Sequence, residues 1–336
     1  MTEQLLLFEG APTPLAEDRD AAAVAATHAE ARAIAADLSP GLHFGTSSWA
    51  FPGWTGLVFS GAIPPALLAR DGLREYARHP LLTTVGIDRT YYAPIPVEDL
   101  RRYADQLPAG FRCCTKAPAA VTGVTLGPGS PAALNPDFLS VDRLSRDLLE
   151  PFAAAFAGHT GPFILEFPPA PRHLRLEPDD FLARRDRFLS ALPRDFEYAV
   201  ELRDARLLTP AYRRVLARHG AAHTYNYWSA MPMPGAQADV IPPDELPFAM
   251  VRLLLRPGTW YEDQRERFAP FSEIVAPDEA MRDEVAAIGL RALAGGRRVY
   301  VLVNNKAEGS SPRTILELAR RVRDRQRRVQ SRAAGT

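Results

Sequence analysis

The sequence predicts an α/β fold, a (β/α)₈ barrel of the TIM type with an N-terminal helical extension. Three observations carry this. Short β-rich runs recur eight times, at 42–48, 83–90, 111–116, 162–167, 197–203, 221–227, 248–254 and 297–304. Amphipathic helical stretches lie between or after them, at 66–78, 96–106, 137–157, 178–191, 209–218, 278–294 and 312–331. Pro and Gly breaks punctuate the joins. Strands alternating with helices imply a parallel sheet, and eight such units favour closure into a barrel.

Taken in order, residues 1–12 read as extended and 14–38 as an Ala-rich helix ended by Pro40-Gly41. The expected organisation is an extension over 1–40, a single barrel over 41–320, and a basic tail over 321–336 that continues the last helix. Two connections are unusually long. One follows Lys116 through APAAVTGVTLGPGSPAALNP, and the other follows Tyr225-Asn226-Tyr227-Trp228 and is rich in Pro and Met. Long loops over a barrel mouth often serve as lids or substrate walls.

Composition narrows the function classes. With 40 basic and 40 acidic residues the chain has no net charge, which weighs against gripping nucleic acid or membrane by overall charge. The only two cysteines, Cys113 and Cys114, are adjacent and cannot staple distant parts of the fold, which fits a reducing cytoplasm. No apolar run reaches the length of a membrane span. The opening MTEQLLLFEG lacks the basic and long apolar regions of a signal peptide. Among the 40 basic residues only Lys116 and Lys306 are lysines, and both follow predicted strands. An Arg cannot replace a Lys that must lose its proton or form a Schiff base.

In a barrel, polar residues at the C-terminal ends of strands are the site candidates. The first strand supplies Thr46, Ser47 and Trp49, and the second Asp88 and Tyr92. Lys116, Glu166, Glu201 with Arg203, Asn226, and Arg252 follow in turn. The last strand supplies Asn304, Asn305 and Lys306. Glu201, Glu166, Lys116 and Asp88 are the expected catalytic groups, with the others expected to bind substrate. Glu201 and Arg203 are two apart on one strand and project to one face. The cluster reads either as a buried structural network or as an acid/base carboxylate beside cations that hold a small anionic ligand of the sugar phosphate or nucleotide class. A hydrolase, a lyase and an isomerase all remain open. A glycosidase needs two carboxylates spanning one bond, and Arg252 stands where a further acid would be wanted. The seven histidines show no ligand spacing. No cofactor is expected, although carboxylates alone could hold a divalent metal. Many aromatics stand near loop starts, among them Tyr91, Trp228, Trp260 and Tyr261. Most are expected to pack, and a few to stack on a sugar ring or base.

The segment Gly309-Ser310-Ser311-Pro312 reads as a capped helix start, with Ser311 as N-cap and Pro312 as first helical residue. Its backbone N–H groups are candidates for binding phosphate.

Two resemblances add to this. Gln4-Leu5-Leu6-Leu7-Phe8 resembles the Gln-Leu-x-Leu-Phe peptide by which bacterial proteins dock on the replication sliding clamp. Gln4, Leu5, Leu7 and Phe8 would be the anchors. That implies, as the alternative function, a non-catalytic accessory protein of DNA metabolism. The runs GTSSWAFPGWTGLVFSG from Gly45, IDRTYYAPIP from Ile87, CTKAP around Lys116, LEFPPA from Leu165, AVELRD from Ala199 and VNNKAEG from Val303 resemble the YecE-like family, domain of unknown function 72. The resemblance spans roughly residues 42–320 and implies a TIM-type barrel without a settled activity. Where that family usually reads Glu-x-Asn, the positions here are Gly86, Asp88 and Arg89. Glu166 replaces a usual Gln, Leu254 and Leu255 replace a His-Gly pair, and Asn226 stands where an Asp is frequent. One carboxylate is lost and another gained, so either the substrate or chemistry is expected to differ from that of typical relatives, or activity is expected to be lost.

Overall fold

The computed structural model describes residues 16–125, 134–174 and 177–334. The peptide Gln4–Phe8 lies outside the described residues. Strands form at each predicted site: β1 (Leu42–Thr46), β2 (Thr84–Ile87), β3 (Arg112–Lys116), β4 (Thr160–Phe167), β5 (Tyr198–Leu202), β6 (Ala222–Tyr227), β7 (Phe248–Leu253) and β8 (Arg298–Val303). They pair in parallel in the order β1-β8-β7-β6-β5-β4-β3-β2. This is the expected (β/α)₈ barrel.

The period of two along each strand divides its side chains between two cores. Cys114, Ile164, Ala199, Ala222, Phe248, Met250, Tyr300 and Leu302 fill the barrel interior. Their neighbours in sequence, such as Leu165, Val200 and Val251, pack outward into a larger core shared with the helices, together with Phe44 of β1 and Val85 of β2. One step further along the interior face come Lys116, Glu166, Glu201 and Arg252. The same alternation that builds the core therefore delivers these groups to one end of the barrel.

The barrel closes between β1 and β2 by a different device. No ladder joins these strands; one bridge links Phe44 and Leu82, and the Thr83 N–H donates to the Phe44 carbonyl at 2.9 Å. Their backbones cross closely because Gly45 lacks a side chain: a Cβ there would sit 2.1 Å from the Thr84 carbonyl oxygen. The buried Tyr76 hydroxyl bridges the seam. It accepts from the Thr46 N–H at 2.9 Å and donates to the Thr84 carbonyl at 3.1 Å. Tyr76→Phe is expected to destabilise the protein by about 1–3 kcal/mol, because both backbone groups lose a buried partner. Urea unfolding checks this; an unchanged midpoint would show that the seam closes without the hydroxyl.

The helices are α1 (Ala16–Ala35), α2 (Pro65–Asp71), α3 (Leu73–Tyr76), α4 (Val97–Ala104), α5 (Ala119–Thr122), α6 (Val141–Leu144), α7 (Glu150–Ala155), α8 (Pro178–Ala191), α9 (Pro210–His219), α10 (Pro234–Val240), α11 (Tyr261–Phe268), α12 (Glu279–Ala294) and α13 (Ser311–Ala334). The helix expected over 137–157 is interrupted by a π-helical turn, Ser145–Leu149. Pro151 in the next turn has no N–H to continue the regular ladder. α10 and α11 form where the sequence predicts no helix. Their local signals are a proline at the start of α10 and Glu262 and Asp263 in the first turn of α11. The basic end of α13 is held by ion pairs. Arg320 pairs with Glu30 of α1, Arg321 with Asp283 of α12 at 2.7 Å, and Arg327 with Asp37 at 2.6 Å. Among the described residues no helix is long and apolar enough to cross a membrane.

Candidate functional site

Six charged side chains meet at the C-terminal end of the barrel. Glu166, at the end of β4, is the hub. Its Oε2 lies 2.9 Å from Lys116 Nζ, 2.8 Å from Arg203 Nη2 and 3.4 Å from Arg252 Nη1. Glu201 on β5 pairs with Arg203 and, at 2.7 Å, with Arg252 Nη1. Arg252 reaches from β7 across to the end of β2, where its Nη2 donates to both Asp88 carboxylate oxygens at 3.1 and 2.9 Å. Three carboxylates thus face three cations. Glu201 has no solvent exposure and Arg252 has 1%, whereas Lys116 and Glu166 each keep 8%.

Burial pushes the Glu166 pKa up, but Arg203, Lys116 and Arg252 outweigh it and hold it at about 2. Glu166 is therefore ionised at neutral pH and a weak proton acceptor there. Burial disfavours the Arg252 charge, yet Asp88, Glu201 and Glu166 raise its pKa further above the ordinary guanidinium range. Among the described residues no three His, Cys, Asp or Glu side chains are grouped to hold a metal ion.

Aromatic rings cover the cations. Lys116 Nζ sits 3.4 Å above the Tyr91 ring, the Arg203 guanidinium 4.0 Å above Trp228, and Lys306 Nζ 4.2 Å above Tyr261. The sequence offers Tyr91 at the end of the second strand, and Trp228 and Tyr261 only among the many aromatics near loop starts, most of which are expected to pack. Their only sequence signal is an aromatic just beyond a strand or at the start of a helix, which packing residues share.

Other sequence candidates have scaffold positions. Thr46 shares the outward face of Phe44, and its hydroxyl bonds to Tyr76 and to the Ser48 carbonyl. Ser47 is buried, with its hydroxyl unpartnered. Trp49 packs outward and donates to the Leu68 carbonyl at 2.9 Å. Asn226 lies at the end of β6, fully buried, and donates to the Leu202 carbonyl at 2.7 Å. Asn304 accepts from the Lys306 N–H. Asn305 faces away from the network and accepts from Trp54 Nε1 at 3.3 Å and the Ser311 N–H at 2.8 Å.

The expected phosphate nest is corrected by this packing. The Gly309 N–H donates to the Asn305 carbonyl at 2.7 Å, while Ser311 uses the Asn305 side chain. Ser310 and Ser311 are buried, and segment 273–276 lies against the turn: Val275 and Ala276 donate to the Glu308 carbonyl. A Cβ at Gly309 would meet the Glu273 carbonyl at 2.4 Å, and its φ is +125°. The helix start is filled by its own chain, so Gly309, Ser310 and Ser311 present no open anion site.

The family model described as "Protein of unknown function DUF72" matches residues 43–335. This chain belongs to the DUF72 family. Two DUF72 crystal structures share its fold. One, from Enterococcus faecalis V583, has a TM-score of 0.57 at 16% identity, covering 84% of this chain and 95% of the other. The second, from Thermotoga maritima MSB8, also has a TM-score of 0.57, at 17% identity, covering 84% and 98%. No curated protein matches the chain. For this DUF72 chain the neighbours support the fold, and the site geometry alone bears on function.

Proposed function

We propose that this protein binds a small anionic molecule at the C-terminal mouth of the barrel, with Lys306 as the primary anchor. One observation carries the reading. Lys306 is only 8% exposed, yet no carboxylate lies within ion-pair distance among the described residues. Its ammonium has only the Tyr261 ring. The Lys306 stem is packed while its ammonium is not among the buried unpartnered atoms, so an incoming anion meets a charge held in place, open to the mouth and without an opposite charge. The six charges of the network balance one another, so an anion has to be met by a cation outside it, as Lys306 is. Position agrees, since ligands of barrel proteins carrying phosphate commonly sit near the loops after the last strands.

The carboxylates have a holding role in this reading. Glu166 is pinned in its ionised form and Glu201 is out of reach of solvent, so neither is set up as a neutral-pH proton carrier. Lys116 serves as a second cation at the rim, fixed by Glu166 and Tyr91.

Thermal unfolding in ribose 5-phosphate and in inorganic phosphate tests the proposal. A ligand that binds only the folded state raises Tm by mass action. The parent protein is expected to gain stability with ribose 5-phosphate, and Lys306→Met to lose most of that gain while folding normally without ligand. Equal shifts in both proteins, or none in the parent, would remove Lys306 as an anchor.

A further inference from the structure

We infer, resting on the anion reading above, that the ligand also carries a planar aromatic ring, as a mononucleotide does. Among the described residues the exposed aromatic side chains are Tyr92 at 84%, Trp260 at 78% and Tyr261 at 47%. All three stand beyond β2 or β7, at the C-terminal end of the barrel. Exposed apolar side chains scattered singly over a surface are ordinary, but these are confined to one region. It is the region of the charge network: Asp88 and Arg252, at the ends of the same two strands, bond across the barrel. Burial, then Asp88, Tyr261 and Glu166, push the Tyr92 phenol pKa up, which agrees with Tyr92 facing those groups.

The rings divide into two sets. Tyr91, Trp228 and Tyr261 each lay a face on a cation. Tyr92 meets only Tyr91, edge to face at 5.3 Å, and Trp260 has no ring or cation contact among the described residues. Two exposed rings therefore stand on the loops beyond β2 and β7, Trp260 next in sequence to the Tyr261 that covers Lys306. A ligand with a π-face and one anionic group uses both. A sugar phosphate would fill Lys306 and leave the rings bare. A single strand of nucleic acid stacks in the same way but needs a basic track along its backbone. Here Lys116, Arg203 and Arg252 are matched by carboxylates within the network, and Arg89, Arg206 and Arg256 on the loops around it each have a carboxylate partner too.

Calorimetric titration of the full chain decides this. The probes are the four ribonucleoside 5′-monophosphates, ribose 5-phosphate, adenosine, and a single-stranded oligonucleotide. At least one mononucleotide is expected to bind tenfold or more tighter than ribose 5-phosphate. Tyr92→Ala and Trp260→Ala should each remove most of that advantage without changing ribose 5-phosphate binding, and Tyr92→Phe should restore it. Both positions are exposed, so folding is preserved, with urea midpoints as the control. Equal affinity for mononucleotides and ribose 5-phosphate overturns the ring while the anion reading stands. Adenosine binding as well as its monophosphate, with Lys306→Met inert, overturns the anion reading and leaves the ring. An oligonucleotide binding tenfold tighter than any mononucleotide overturns the small-molecule assignment. No binding by any probe at millimolar concentration overturns both.

Discussion

Replacing Arg252 with methionine is expected to destabilise the protein by about 3–5 kcal/mol, the range for breaking a buried ion pair from one side. Arg252 is 1% exposed and holds Asp88, Glu166 and Glu201 together. Without it, fully buried Glu201 retains only Arg203. The penalty comes chiefly from the buried carboxylate that is left undercompensated, and less from the attraction that the guanidinium supplied. Combining Arg252→Met with Glu201→Gln is therefore expected to recover part of the stability, with a coupling of about 1 kcal/mol or more between the two sites. Urea unfolding of the parent, both single variants and the double variant measures that coupling. Strictly additive effects would mean that the six charges do not act as one network.

Acidification is the second large expected effect. His223 has no exposure and His79 has 3%. Burial lowers the His223 pKa to about 4. Burial, helped by the nearby His28, lowers that of His79 to about 3. The His28 and His79 rings meet edge to face at 4.9 Å. In each case the folded-state value lies below the ordinary value of 6.5, so the unfolded chain takes up the proton first. The stability these histidines contribute is whole above pH 6.5. It falls as pH drops below that, flattening near pH 4 for His223 and near pH 3 for His79. The slope approaches about 1.4 kcal/mol per pH unit for each residue. Glu166 acts in a different window: held at about 2, it loses its contribution only as pH falls below the ordinary carboxylate value of 4.5. A urea midpoint that falls between pH 7 and pH 5, and falls less in His223→Gln, is the expected result. A midpoint constant over that interval would mean that neither ring is held neutral by the fold.

Much of the site was legible because strand geometry is local. A period of two, started from any interior residue, carries Lys116, Glu166, Glu201 and Arg252 to the same end. At that end Lys116 meets Glu166 at 2.9 Å. The same rule, applied with correct parity, also separates Thr46 from the interior: Phe44 and Thr46 share the outward face, and Tyr76 takes the Thr46 hydroxyl. Asn305 fails for a similar local reason, since it stands one residue past Asn304 in a tight turn and bonds to Trp54 and Ser311.

By itself, the sequence determined the eight strands, their alternation with helices, the family and the strand-end residues from which any site must be built. Those depend on periodicity and punctuation, which act over a few residues. Only the tertiary structure decided how the barrel closes, through Gly45 and the Tyr76 hydroxyl. It alone decided that segment 273–276 packs over the Gly309 turn, and that Lys116 is paired while Lys306 is not. These outcomes depend on which residues far apart in the chain meet. Trp54 reaches Asn305, and Asp88 reaches Arg252. Whether a buried lysine is neutralised is set by such encounters, because the partner's distance governs the interaction and no spacing along the chain encodes it.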